Sequence, residues 1–285
     1  MTESAPQARS RVAFVLGGGG VLGAAEVGML RALGEAGIAP DVVLGTSVGA
    51  LNGAVLAAEP ETAVERLIAL WGGMEADNPF GGSLLERVTT FARTRTHLHR
   101  AEPLRAMLEE TISARRFEDL ALPFQCVAAS IEGARARWFS SGPLIDAVLA
   151  SAAVPGLLPP VEIDGEHFLD GGLVHSIPVG RAVDLGARVI YVLQVGRIEH
   201  ELEVPTKPWE VALVAFEIAR RHRFVEEMSR LPDSIEVHVL PTGSVEAPRY
   251  TDPRSLRYRS VAQVKARIES AHEASAAYLA RREAD

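Results

Sequence analysis

Near the start of the chain, Val12-Ala13-Phe14-Val15-Leu16 forms an unbroken apolar run of buried-strand length, and Gly17 to Gly20 end it abruptly. Helical periodicity follows at once, with Val27, Leu30 and Leu33 on one face. Gly37 and then Pro40 close that helix in the expected order. A strand that is apolar on both faces must be covered on both. Strand, glycine turn and helix therefore commit the chain to an α/β fold from its first forty residues.

The remaining pattern repeats the alternation. A second strand, Val42-Val43-Leu44, leads into Gly45-Thr46-Ser47-Val48-Gly49 and a small-residue helix that ends before Pro60. Val64, Leu67, Ile68 and Trp71 fall at helical spacing. Strands are predicted at Phe124–Ile131, Arg137–Ser140, Glu166–Leu169, Val189–Val195 and Ile235–Leu240. Helices are predicted from Pro143 to about Ala153, from Pro178, over Trp209–Arg230 and over Ser255–Arg282. Such alternation implies a mainly parallel sheet covered on both faces. Residues 1–11 read as a polar tail, and no linker divides residues 12–285, so one domain is expected there.

Composition narrows the function classes. With 47% hydrophobic and 23% charged residues, a sizeable core is expected and wholesale disorder is not. A net charge of −8 argues against a nucleic-acid partner, which needs a clustered positive surface. The single Cys126 sits in a strand-like apolar run and is expected to be buried and inert. Neither H-E-x-x-H nor a zinc-type Cys/His spacing occurs, so no metal is expected, and no cofactor. The first residues lack a signal peptide's apolar segment, and no run of about 18 apolar residues exists. The expectation is a cytoplasmic protein whose membrane contact, where it occurs, is peripheral.

Gly18, Gly20 and Gly23 satisfy G-x-G-x-x-G between a strand and a helix. Such a turn aims backbone N–H groups at something anionic, and a dinucleotide phosphate or an oxyanion would fit equally. The second strand separates the two. A dinucleotide site needs an acid at that strand's far end for the ribose, whereas Asp41 stands at its start and the end runs into Gly45-Thr46-Ser47.

Gly45-Thr46-Ser47-Val48-Gly49 is G-x-S-x-G, the spacing of a serine held on a sharp strand-to-helix turn. A plain Ser N-cap is the alternative. A serine hydroxyl needs a base, and none of the histidines has a compelling place. His238 on the last strand and His167 and His175 beside Asp170 are minor candidates. Asp170-Gly171-Gly172 follows a strand-like run and, taken alone, reads as an ordinary turn.

Taken together, the pieces resemble the patatin-like phospholipase family. Leu16 to Gly23, Gly45 to Gly49, Ser151-Ala152-Ala153-Val154-Pro155-Gly156 and Asp170-Gly171-Gly172 occur in that family's order, over about Val12 to Val183. The resemblance implies a three-layer α/β/α sandwich carrying a Ser–Asp dyad that cleaves fatty acyl esters. Ser47 would be the nucleophile and Asp170 its base, with N–H groups of Gly18, Gly19 and Gly20 as the oxyanion hole. Gly23, Gly45, Gly49, Gly171 and Gly172 would support the motifs. Residues 12–183 would be the motif-bearing core, with residues 184–285 supplying a C-terminal strand and helices.

Two positions depart from the family pattern. Leu22 stands where members usually carry Arg or Lys, and Glu26 where many bacterial members have His. The expected consequence is loss of a positive charge beside the oxyanion hole. A catalytically silent lipid-binding protein, an acyltransferase using the same acyl-enzyme and, more distantly, a nucleotide-binding protein are the competing functions. The basic stretch Leu84 to Arg100 is read either as a lid or membrane contact or as a solvated face. Trp209, Val211, Val214 and Ile218 are expected in the core.

Overall fold

The computed structural model describes residues 11–73, 89–90, 93–94, 96–195, 201–243 and 261–284. In chain order these form β1 (Val12–Leu16), α1 (Ala24–Glu35), β2 (Val42–Thr46), α2 (Val48–Ala58), α3 (Ala63–Gly73) and α4 (Glu102–Thr111). Next come β3 (Phe124–Ser130), β4 (Arg135–Phe139), α5 (Leu144–Ser151), β5 (Val161–Ile163) and β6 (Glu166–Asp170). The rest are α6 (Val179–Asp184), β7 (Val189–Leu193), α7 (Pro208–Ser229), β8 (Glu236–Val239) and α8 (Val261–Ala284).

The strands form one sheet, paired in the order β5-β6-β3-β2-β1-β7-β8, with β4 also on β3. Strand periodicity splits β1 between two cores. Phe14 and Leu16 join α1, α2, α3, α4, α5 and α8 on one face. Ala13 and Val15 join Val179 and Ala182 of α6 and Phe224 of α7 on the other. The molecule is thus a three-layer α/β/α arrangement. Fully burying each of the larger side chains contributes roughly 1.5–3 kcal/mol.

The central pairings β1–β2, β1–β7, β2–β3 and β7–β8 are parallel. The pairings β3–β4, β3–β6 and β5–β6 are antiparallel. The sheet is therefore mixed though mostly parallel, and the antiparallel part builds the site. On β3, β4 pairs with Cys126 through Ser130. β2 pairs with Phe124 through Val127, and β6 with Ala128 through Ser130. Since β4 overlaps both and a strand has only two edges, β2 and β6 share the other edge end to end. Thr46 lies opposite Val127, and Asp170 opposite the next residue, Ala128. The C-terminal ends of β2 and β6 therefore meet head-on.

Some expectations change. Val214 is buried, but Val211 and Ile218 are 52% and 54% exposed. The face that α7 turns inward carries Glu217 and Arg220 beside Val214 and Phe224. The side chain of Trp209 lies outside the described residues, as does most of the basic stretch, including Leu84 to Arg87. Its end is tied down by bonds from the N–H groups of Leu98 and His99 to the carbonyls of Gly156 and Leu157. Among the described residues, no helix is long and apolar enough to cross a membrane. Cys126 is buried and free, and burial pushes its thiol pKa up.

Candidate active site

Ser47 occupies the single residue between β2 and α2, with φ 56° and ψ −123°. That left-handed conformation costs a non-glycine residue on the order of 1–3 kcal/mol and persists only where neighbours enforce it. The neighbours here are glycines for a steric reason. A Cβ on Gly45 would lie 2.4 Å from the Gly49 carbonyl oxygen, and one on Gly49 would lie 2.3 Å from that of Leu16. The backbone doubles back too tightly for any other residue. Ser47 is thereby lifted to the N-terminus of α2, where the helix dipole favours negative charge.

Opposite it, Asp170 ends β6. Its Oδ2 accepts the Ser47 hydroxyl at 2.6 Å, and its Oδ1 accepts the Gly172 N–H at 2.7 Å. The second bond is the ordinary Asp-Gly turn that the bare sequence suggests. The first leaves one carboxylate oxygen for the serine. Ser47 is 7% exposed and Asp170 2%. Burial pushes the Asp170 pKa up to about 6, against the pull of Ser47, the Gly172 N–H and the charge of Arg220. A carboxylate so placed is a better proton acceptor than one in water.

The Ser151–Gly156 segment has a concrete task. Ser151 Oγ accepts the backbone N–H of Ser47 at 2.9 Å, and the Ala153 carbonyl accepts that of Asp170 at 2.9 Å. One short segment at the end of α5 thus holds the main chain of both residues. A Cβ on Gly171 would lie 2.1 Å from the Val127 carbonyl oxygen, so β6 can leave β3 only through glycine.

The glycine turn corrects two expectations. The Gly18 N–H donates to the Ser176 carbonyl at 3.0 Å, so Gly18 is not available as an oxyanion donor. The N–H groups of Gly19 and Gly20 precede the first bond of the following 3-10 turn, Leu22 N–H to Gly19 O. Gly23 packs under Val48 and Trp71. Nor does the turn lack a neighbouring positive charge. Arg220 of α7 donates from Nη2 to the Gly18 carbonyl at 2.6 Å and from Nε to Ser176 Oγ at 2.6 Å. Its Nη1 pairs with Glu217 at 2.7 Å. Sequence reading missed Arg220 because Glu217 and Arg220, three apart on a helix, look like a solvated surface pair.

The histidines are engaged elsewhere. His167 meets Glu132 at 2.7 Å, His175 meets Glu227 at 2.7 Å, and His238 stacks on Tyr191. Asp41 accepts the Val12 N–H at 2.7 Å, at the opposite end of β1 from the glycine turn, so it cannot serve a ribose there. Glu26 is fully buried beneath the turn. Its Oε2 accepts from Asn52 at 2.7 Å, and burial holds its pKa well above the usual carboxylate range.

A family model for patatin-like phospholipases matches residues 14–183. A patatin-like phospholipase domain-containing protein of Caenorhabditis elegans is 36% identical over 192 residues, covering 66% of this chain and 14% of that one. Lysophospholipase nte1 of Aspergillus terreus is 33% identical over 188 residues, covering 66% of this chain and 12% of its own. The chain therefore spans less than a sixth of the length of these relatives. VipD from Legionella pneumophila aligns over 95% of this chain and 66% of its own, with a TM-score of 0.48 and 14% identity. The family model spans well over half of the 285 residues, and the chain belongs to the patatin-like phospholipase family.

Proposed function

We propose that this protein hydrolyses the fatty acyl ester bonds of lipids, as a phospholipase or lysophospholipase, through a Ser47–Asp170 dyad. The observation that carries the reading is the direct 2.6 Å bond between Ser47 Oγ and Asp170 Oδ2, in a buried pair with no imidazole between them. Membership of the patatin-like phospholipase family supports the substrate class.

Asp170 takes the Ser47 proton as Oγ attacks the acyl carbonyl. Negative charge then develops on the carbonyl oxygen, beside the N–H groups of Gly19 and Gly20 and the positive end of α2. Loss of one such donor typically costs about 2.7–4 kcal/mol of barrier. The tetrahedral intermediate collapses as the bond to the alcohol oxygen breaks, and protonated Asp170 returns its proton to that leaving oxygen. Water then attacks the acyl-serine and gives up a proton to Asp170. Fatty acid leaves and Ser47 is restored.

Residues 12–285 act as one unit in this proposal. The tight contact of α8 on α1, where a Cβ on Gly28 would lie 2.1 Å from the Ile268 carbonyl oxygen, supports that view. The test is a panel of phospholipids, lysophospholipids and neutral esters, with fatty acid release measured for wild type, Ser47→Ala and Asp170→Asn. Release by wild type and none by either folded variant is expected. Equal release by Ser47→Ala would overturn the reading.

A further inference from the structure

We propose that Arg220 is a positioning residue that aims the Gly19 N–H at the reacting carbonyl by gripping the opposite end of the same peptide group. The inference rests on the Ser47–Asp170 reading. A peptide unit is planar and trans, so the Gly18 carbonyl and the Gly19 N–H point in opposite directions and turn together. Whatever fixes the carbonyl fixes the donor. Arg220 Nη2 donates to that carbonyl at 2.6 Å.

The grip is built from both sides. The Gly18 N–H is held by the Ser176 carbonyl at 3.0 Å, while the Ser176 hydroxyl is held by Arg220 Nε at 2.6 Å. Both polar groups of Gly18 thus end on one Ser176–Arg220 unit. The guanidinium is itself locked, because Glu217 Oε2 accepts from Nη1 at 2.7 Å and Glu217 Oε1 accepts from Arg221 at 3.0 Å. The Glu217 and Arg220 side chains are only 4% and 11% exposed, so solvent screens little of this.

The grip is needed because a run of four glycines has no side chains to resist rotation of its peptide planes. A loop left free would spend part of its time with the Gly19 N–H turned from the oxyanion. A charge-assisted bond to the carbonyl also polarises the peptide and strengthens its N–H as a donor. Arginine suits the task because its planar fork reaches three acceptors at once. Lysine carries the charge without the fork.

The lysine variant therefore separates geometry from charge. The groups that face Asp170 are the Ser47 hydroxyl, the Gly172 N–H and, as the charged one, Arg220 with Glu217 behind it. The experiment follows hydrolysis of a soluble short-chain ester across pH for wild type, Ser47→Ala, Arg220→Lys, Arg220→Met and Ser176→Ala, with circular dichroism as the check on folding. For Arg220→Lys, kcat is expected to fall about 10–100-fold with KM within about threefold, short of the full loss of a fixed donor. Its acid limb should stay where the wild type has it. Arg220→Met should lose at least as much and shift that limb to higher pH.

Wild-type kcat in folded Arg220→Lys would overturn the proposal while leaving the dyad untouched. Absence of Ser47-dependent hydrolysis in the wild type would sink the dyad first. Should Arg220→Lys fail to fold, Ser176→Ala decides. It removes one of the three bonds, a several-fold drop in kcat is expected, and an unchanged kcat refutes the grip.

Discussion

Replacing Asp170 by Asn should destroy activity and, contrary to habit for a buried hydrogen-bonded residue, stabilise the protein. Burial raises the pKa of this carboxylate from 3.8 to about 6 even after its favourable partners are counted. Each pKa unit is worth about 1.4 kcal/mol, so the ionised form costs the fold about 3 kcal/mol. The sign follows from linkage. A folded pKa above the unfolded one means that the folded state binds more protons between the two values. Stability is therefore highest below the unfolded value and is lost as pH rises through the folded one.

Asparagine carries no charge and escapes that loss. Its carboxamide can still accept the Gly172 N–H with oxygen and face Ser47 with its amide. Urea unfolding of both proteins at about pH 5 and about pH 8 is the assay. The variant should be more stable by about 3 kcal/mol at the higher pH and by roughly half of that at the lower. The reasoning also predicts that the gap stops growing above about pH 6, where the wild-type carboxylate is already ionised. A variant destabilised at about pH 8, or a gap that does not change with pH, would refute it. Asp170 would then be a turn residue whose bonds are purely structural.

The other expectations are shorter. Wild-type hydrolysis should decline about tenfold per pH unit once the pH falls below the Asp170 pKa of about 6, since a protonated Asp170 cannot accept from Ser47. A rate that holds level well below that pH would exclude Asp170 as the base. Gly49→Ala places a methyl group 2.3 Å from the Leu16 carbonyl oxygen. It should cost about 1–3 kcal/mol in denaturant unfolding and lose activity with it, and an unaffected variant would mean the turn can relax. Glu26→Gln should be more stable than wild type at about pH 8, with the gap closing as pH approaches 4.5, because the pKa of Glu26 is raised well above 4.5 by burial. Thermal melts across pH check this, and a gap that widens toward acid would contradict it.

Much of the fold was legible because each motif answers a backbone problem. The apolar run in β1, the glycines crowding Ser47 and the Asp-Gly turn are local, and local constraints leave local residue patterns. What lay beyond the sequence is what long-range pairing creates. Ser47 and Asp170 are 123 residues apart, and they meet only because β2 and β6 divide one edge of β3 between adjacent residues. Arg220 is 202 residues from the glycine it holds.

The inward face of α7 misled for a related reason. It buries Val214 and Phe224 but also Glu217, with Arg220 beside it, while Val211 and Ile218 face solvent, which blurs the usual amphipathic signal. β5 has three residues, too few to show a period, and α4 buries only Leu104 and Leu108. The family resemblance puts Gly18 among the oxyanion donors, and nothing in the sequence reveals that its N–H belongs to the Ser176 carbonyl.

The most direct measurement is intact-mass spectrometry after treatment with a fluorophosphonate, followed by peptide mapping and the rate of adduct formation. A single adduct on Ser47, formed quickly by wild type and at least about a hundredfold more slowly by folded Asp170→Asn, is the predicted result. No adduct on folded wild type, an adduct on another residue, or labelling of Asp170→Asn at the wild-type rate would contradict a serine activated by its neighbouring carboxylate.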